Sequence, residues 1–446
     1  MSYEETEDGL TSALTDKKDE ENYDVVDFVR RRYSRAKSAR YNDESRWLQA
    51  YRNYRGLYGP DVQFTESEKS RVFIKVTKTK VLAAYGQLCD VLFSQNKFPI
   101  GIEPTTLPEG VVDTAHIDPK EPEEATSVQD PYGYAGDDKQ VGPGATTDSL
   151  INMLGPLEEE LKGIEKLKEG PGLTQTAITF HPAMVAAKKM EKKIRDQLEE
   201  SAATKHLRFS AFECVLLGTG IMKGPFAVDK EYARWAKGGK YDPVVKTTPK
   251  VEHVSVWNYY PDPDANSMDD ATYIVERHRM SRPQLRELKK RPFFIADSIE
   301  GAIDYGESYT REWWEDDLDD DAYGGGEGSN TQGSDVERFE VLEFWGTIDR
   351  ETAEEANLDI PKSLKTSDEL QINCWVCNEH VLRLVINPFT PKRIPYFSCP
   401  YEINPYSFFG VGLAENMDDT QTLMNGFMRM AVDNAVLSGN LLIEVD

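Results

Sequence analysis

Two stretches of this chain cannot build a packed core, and they decide how the remainder must be arranged. From Glu103 the text EPTTLPEGVVDTAHIDPKEPEEATSVQDPYGYAGDDKQVGPGATTDS is rich in Pro, Gly and acid, with almost no apolar periodicity; residues 301–336, including WWEDDLDDDAYGGGEGSNTQGSD, share that character. Structureless stretches of such length are uncommon inside compact domains. Both therefore read as surface insertions: 103–181 acidic and Pro/Gly-rich, with a short helix near LINMLGPLEEELKGIEKLK, and 301–336 an acidic Gly-rich loop. The acids of EDDLDDD do not alternate with apolar residues and are expected to be solvated.

The 446 residues outside and inside these breaks allow two or three domains with substantial cores. A net charge of −26 argues against broad adhesion to nucleic acid through phosphate contacts. It does not exclude a path that DNA slides along, because a conduit works better with weak or repulsive walls. The N-terminal MSYEETEDGL lacks the basic and apolar regions of a signal peptide, and no run of 18 apolar residues exists. Even VLAAYGQLCDVLF is broken by Gln87 and Asp90, so no membrane contact is expected. Five cysteines, an odd number, suit a reducing compartment better than a disulfide framework.

The fold class expected is α+β, with these segments: 1–22 a disordered acidic tail; 23–102 helical; 103–181 the first insertion; 182–300 a long helix followed by strands; 301–336 the second insertion; 337–409 strands and a hairpin; 410–438 a long helix; and 439–446 the start of a further strand. In the first helical part Val26, Val29, Tyr33, Ala36, Trp47 and Tyr54 recur at mixed three and four spacings, and Gly56 supplies a stop. A second helix over TKTKVLAAYGQLCDVLFS places Val81, Ala84, Leu88, Val91 and Leu92 on one side. One helix is predicted from Pro182 to the glycines Gly218 and Gly220, then strands. Ser281 and Pro283 open a short helix, and a hairpin turns at Asn378-Glu379.

Candidate sites are few. GTGIMKGPF (Gly218–Phe226) lacks the spacing of a phosphate loop and runs helix to strand, so a helix C-cap is favoured over a nucleotide site. Cys374 and Cys377, with His380, have no second cysteine pair near in sequence, and residues three apart in a strand point to opposite faces. Asp262–Asp270 alternates oxygen-bearing residues but lacks the glycine and final glutamate of a calcium loop. No catalytic pattern emerges, and no cofactor or metal is expected. The basic, tyrosine-interleaved stretch around Arg30, Arg31, Arg35 and Arg40 is a possible contact for a partner or DNA, with an acidic protein surface favoured because the whole chain is acidic.

The C-terminal FFGVGLAENMDDTQ sets Gly410 and Gly412 before a helix of about 26 residues, roughly 40 Å long. Leu413, Met417, Thr420, Met424, Phe427, Ala431 and Asn434 form a heptad-like stripe. Asp418, Gln421, Asn425, Arg429 and Asp433 line another face, with Arg429 and Asp433 placed for an i,i+4 pair. Gly426, costly in mid-helix, predicts a closely packed neighbour. Glu415 stands where a dinucleotide fingerprint needs its third glycine, and a carboxylate there would repel a phosphate.

NPYSFFGVGLAENMDDTQTLMNGFMRMAVDNAVLSGN resembles the strand-to-stem-helix junction of tailed-bacteriophage portal proteins, the head-to-tail connectors, of podovirus-like type. WLQAYRNYRGLY, KVTKTKVLAAYGQLCDVLF, AFECVLLGTGIMKG, VSVWNYYPDPDANSMDDATYIVERHRMSRPQLREL and VLEFWGTID follow that family's order, so the resemblance spans most of residues 25–440 outside the insertions. It implies a mixed α/β wing with long helices leading to a stem helix near Gly410, and a homo-oligomeric ring, usually a dodecamer, at one capsid vertex. It further implies passage of dsDNA without sequence specificity during packaging and ejection. The implied partners are the terminase motor, the major capsid protein and a tail adaptor, in the virion and in the host cytoplasm during assembly. Gly410 and Gly412 would turn the chain into the stem; Glu415, Asp418, Gln421, Asn425, Arg429 and Asp433 would make stem, channel or inter-subunit contacts. The clip, second stem helix and crown of that family are not expected in this chain, which stops at NLLIEVD. The competing readings are a nucleotide-binding enzyme using the Gly218 or Gly410 loops, and a scaffold or adaptor that forms no ring.

Overall fold

A computed structural model describes residues 25–60, 62–66, 68–93, 100–104, 115–117, 178–180, 182–235, 240–323, 337–356, 358, 360–361, 364, 367–389 and 394–439. The expected tail at 1–22, most of the 103–181 insertion with its short helix, the glycine-rich part of 301–336 and the strand start at 440–446 lie outside the described residues. The fold is α+β. The chain divides into one unit of Met1–Pro99 with Arg195–Asp446, and a second of Ile100–Ile194. In the second unit β1 (Ala115–Ile117) pairs antiparallel with β2 (Ile178–Phe180), a two-stranded ribbon that the sequence reading of a structureless insertion missed.

The first unit opens with α1 (25–39) and α2 (Tyr41–Arg55), which ends at Gly56 in the left-handed region, its N–H donating to the Arg52 carbonyl. α3 (Val76–Phe93) follows; Val81 is fully buried, but Val91, expected on the same side, is 78% exposed. The predicted long helix from Pro182 is two helices, α4 (Pro182–Glu200), whose residues up to Ile194 belong to the second unit, and α5 (Ala203–Leu217), broken where Ala202 takes a positive φ of 54°. Gly218 caps α5, and Gly220 belongs to the strand beyond rather than to the helix end.

Two antiparallel sheets carry the unit. One has three strands in the order β10 (Tyr396–Pro400), β3 (Thr219–Tyr232), β4 (Val244–Val254). The other has five, in the order β5 (Tyr259–Pro261), β6 (Tyr273–Ser281), β7 (Arg338–Asp349), β8 (Glu369–Cys377), β9 (His380–Ile386). β7 is the central strand, and its period of two divides the core: Phe339 and Val341 face α6 (Arg282–Leu288) and α7 (Ala296–Tyr305), whereas Leu342, Phe344 and Ile348 face the Val25–Ala36 side of α1. Cys374 lies in the second of these cores and Cys377 in the first, on opposite faces of β8. The hairpin turns at Asn378, in the left-handed region. A third core joins α2, α3, α5 and the three-stranded sheet around Trp47, Val215, Ile221 and Phe409.

In the segment expected to be an acidic loop, the described residues 301–323 are helical over 301–305 and 313–323. α7 runs to Tyr305 and α8 spans Trp313–Tyr323; α9 (Arg350–Glu355) follows β7. The acids of α8 are not simply solvated: Arg52 binds Asp317 and Asp321, one helical turn apart, at 3.0 and 2.8 Å, and Arg277 binds Glu315 at 2.7 Å. Trp314 packs on Trp257 with ring centroids 4.6 Å apart, fixing the apolar side of α8.

Candidate functional site

The two glycine motifs, nearly 200 residues apart in sequence, occupy each other. A β-carbon on Gly410 would lie 2.6 Å from the Glu402 carbonyl oxygen and 2.7 Å from that of Gly218; one on Gly412 would lie 2.6 Å from the Leu216 carbonyl oxygen. The Gly410 N–H donates to Thr219 Oγ1 at 2.9 Å, and the Tyr401 N–H donates to the Gly218 carbonyl at 2.9 Å. Gly218 has φ 96°, but Gly412 has φ −86°, which any residue adopts. Gly410 and Gly412 therefore serve close backbone approach rather than an unusual turn. Backbone fills the space that a phosphate would need.

Beyond this junction the chain forms α10 (Leu413–Asn416) and, after a break at Met417, α11 (Asp418–Gly439), so the single helix expected is two. Both carboxylate oxygens of Glu415, Oε1 and Oε2, accept from one arginine nitrogen, Arg46 Nη1, at 2.9 and 2.8 Å. Burial alone would lower the Arg46 guanidinium, but its bonds to Glu415 and Asp43 raise it. Asp418 accepts from Asn53 Nδ2 at 2.6 Å.

Gln421, 1% exposed, accepts the Thr77 N–H at 3.1 Å and the Thr77 hydroxyl at 3.0 Å, and donates to the Ile74 carbonyl. The Thr77 N–H belongs to the first turn of α3, where backbone donors have no partner within the helix. Asn425 accepts the Ile74 N–H at 2.9 Å, and Asp433 accepts the Ser70 N–H at 2.9 Å. Arg429 does not pair with Asp433 as expected; its guanidinium lies over the rings of Tyr58 and Phe64, 5.2 and 5.1 Å from their centroids. The polar face of α11 is thus docked on the chain's own residues 58–77.

This inverts the usual amphipathic arrangement. Leu423, Met424, Phe427, Met428, Met430, Val436 and Leu437 are exposed, Phe427 by 61% and Leu437 by 73%. Gly426, expected against a close neighbour, has nothing within 4 Å of where a β-carbon would stand. Exposed apolar side chains gathered on one helix are a candidate contact surface.

The basic helix is mostly committed within the chain. Arg40 is 2% exposed, donating to the carbonyls of Val256, Trp257 and Tyr259 and paired with Glu44, so it is removed from the surface set. Arg30 donates to the Asn378 carbonyl at 2.5 Å, and Arg35 pairs with Asp264 at 2.6 Å, a bond that raises the Arg35 guanidinium. Among the described residues, Arg31 pairs with Asp27 on its own helix, in solvent. Asp262, in the calcium-like stretch, accepts the Asp264 N–H at 3.2 Å and the Thr272 hydroxyl, holding a tight turn.

Sequence reading missed one charged cluster altogether. Glu276, His278 and Glu343 bring potential metal-ligand atoms within 4.8 Å of one another. The cation position is filled by the Lys223 ammonium, 2.7 Å from Glu276 and 2.5 Å from Glu343. Tyr396 donates to Glu276 at 2.6 Å, Trp345 to Glu343 at 2.7 Å, and His278 Nε2 lies 2.8 Å from Glu343. Burial would raise the Glu343 carboxyl; Lys223 and His278 outweigh it and hold Glu343 at about 2. This group is a polar bolt from β3 and β10 to β6 and β7, not a vacant metal site. The alternation of Glu276 and His278 in the strand YIVERHRMS was its only sequence signal.

Residues 239–445 match the family model described as phage SU10 portal protein. A search of curated proteins finds no match. No helix among the described residues is long and apolar enough to cross a membrane.

Proposed function

From the phage portal family that residues 239–445 match, we propose that this chain is a portal subunit whose copies close into a ring, conduct dsDNA and join head to tail. Residues up to Phe409 form the wing, and α10 with α11 the first stem helix. The observation that carries the reading is the inverted α11: its polar residues are consumed inside the subunit, leaving Leu423, Phe427, Met430 and Leu437 for a neighbour. A ring places identical helices side by side, which gives every copy of that face a partner. Twelve copies, as is usual in the family, and docking to a terminase motor, capsid protein and tail adaptor extend the same proposal.

Arg31 and Arg35, on the outer side of α1, keep solvent access and are the basic positions that a partner would meet. Passing DNA needs no adhesive surface, and the −26 charge of each copy suits that. Portal proteins are structural rather than enzymatic, and no observation favours the nucleotide-binding alternative, since the Gly218 and Gly410 loops fill each other. Sedimentation of the purified chain tests the proposal. A discrete, large, closed species supports it; ATP hydrolysis abolished by Gly218→Val or Gly410→Val without loss of folding would replace it with the enzyme reading.

A further inference from the structure

Cys214 and Cys399 meet although 185 positions separate them. Cys214 lies buried in the last turn of α5, and Cys399 is exposed on β10. β10 pairs with β3 so that Cys399 stands opposite Gly220. A β-carbon on Gly220 would come within 3.1 Å of the Cys214 β-carbon, so the missing side chain is what admits the cysteine over this register position. From there the Cys214 thiol donates to the Cys399 carbonyl oxygen at 3.3 Å. The two thiols influence each other: the neighbouring Cys214 brings Cys399 down to about 6, against burial, and Cys214 is raised far above the ordinary thiol by Cys399 and then by burial. The remaining buried thiols behave differently, since burial pushes Cys374 and Cys377 up to about 12.

We propose that Cys399 and Cys214 are a redox-responsive pair, with Cys399 as the attacking and Cys214 as the resolving sulfur, which oxidation converts into an intrachain disulfide tying α5 to β10. A peroxide is the oxidant. The Cys399 thiolate attacks one peroxide oxygen, the O–O bond breaks, and hydroxide leaves, giving a sulfenic acid. The Cys214 sulfur then attacks the Cys399 sulfur; the S–S bond forms, the S–O bond breaks, and the hydroxyl leaves as water with the Cys214 proton. The two sulfurs lose two electrons, and the peroxide gains them. Each half of the pair has the exposure its role requires: Cys399 faces solvent, and Cys214 is buried.

The location gives the bond a consequence. Pro400 follows Cys399, and Tyr401 donates to the Gly218 carbonyl four residues beyond Cys214. A disulfide would therefore fasten together the two segments that enter the glycine junction. Mass spectrometry of the full chain tests this. Brief iodoacetamide treatment of the reduced protein at pH 7 should label Cys399 ahead of Cys374 and Cys377. One equivalent of hydrogen peroxide should then remove two of the five free thiols, yield a linked Cys214–Cys399 peptide pair and raise the melting temperature. Cys214→Ser should abolish the linked peptide and the rise in melting temperature, while leaving Cys399 labelling fast. An unchanged thiol count, a Cys399 oxidised only to sulfinic acid, a different pairing, or a dimer on a non-reducing gel would overturn the proposal.

Discussion

Gly218 and Gly412 meet backbone to backbone: a β-carbon on Gly218 would stand 2.7 Å from the Gly412 nitrogen, and one on Gly412 would stand 2.9 Å from the Gly218 nitrogen. The contact locks the end of α5 to the start of α10. Gly412→Ala should therefore destabilise the fold by about 1–3 kcal/mol through overpacking, and Gly218→Ala by more, since its positive φ adds about 1–2 kcal/mol of strain. Gly426→Ala provides the control. Nothing stands within 4 Å of that position, so in the isolated subunit it should stabilise α11 by about 1 kcal/mol. Urea unfolding measures all three.

The amides of α11 replace solvent at the start of α3. Gln421→Ala leaves the Thr77 N–H buried without its acceptor, and a cost of about 1–3 kcal/mol is expected. Asn425→Ala should cost a similar amount through the Ile74 N–H. Hydrogen exchange should locate the loss, with faster exchange at Ile74 and Thr77 and little change in the five-stranded sheet.

The Lys223 bolt predicts an acid limb of stability. The folded Glu343 carboxyl sits at about 2, below its ordinary value of 4.5, so its contribution is full above pH 4.5 and is lost as pH falls toward 2. Glu343→Gln should flatten that limb of the stability curve. Lys223→Met, which removes the one ammonium shared by two buried carboxylates, should cost about 3–5 kcal/mol near neutral pH, and adding Glu343→Gln should recover part of it.

The pairing of α2 with α8 yields a local prediction. Arg52→Ala frees Asp317 and Asp321 on one face of an acidic helix, where mutual repulsion is no longer offset. Faster amide exchange across Trp313–Tyr323 is expected, with α3 unaffected.

Features written in neighbouring residues were legible from the sequence. The Ser281 cap, whose N–H donates to Gln284 Oε1 at 2.8 Å, and the turn at Asn378 both sit where local chemistry put them. RFEVLEFWGTID, in the stretch read as strands, forms β7. Relationships across long separations were not legible. Nothing local tells that Arg52 will bind acids more than 260 residues away, so WWEDDLDDD read as loop rather than as the helix it becomes. The heptad-like stripe of the last helix was visible, but which face docks inside the subunit depends on Thr77 and Ile74, supplied by another segment. Likewise, the two glycine motifs each looked like a turn or a cradle, because only the fold brings Gly218 to Gly410 and Gly412.

The exposed apolar face of α11 is the point on which the account of assembly rests, and negative-stain electron microscopy addresses it directly. The unaltered chain should give closed rings with a central channel. The double variant Leu423→Asp, Phe427→Asp should give single subunits with an unchanged circular dichroism spectrum, because both side chains project away from the subunit. Single subunits from the unaltered chain at every concentration, or rings that persist in the double variant, would contradict the account.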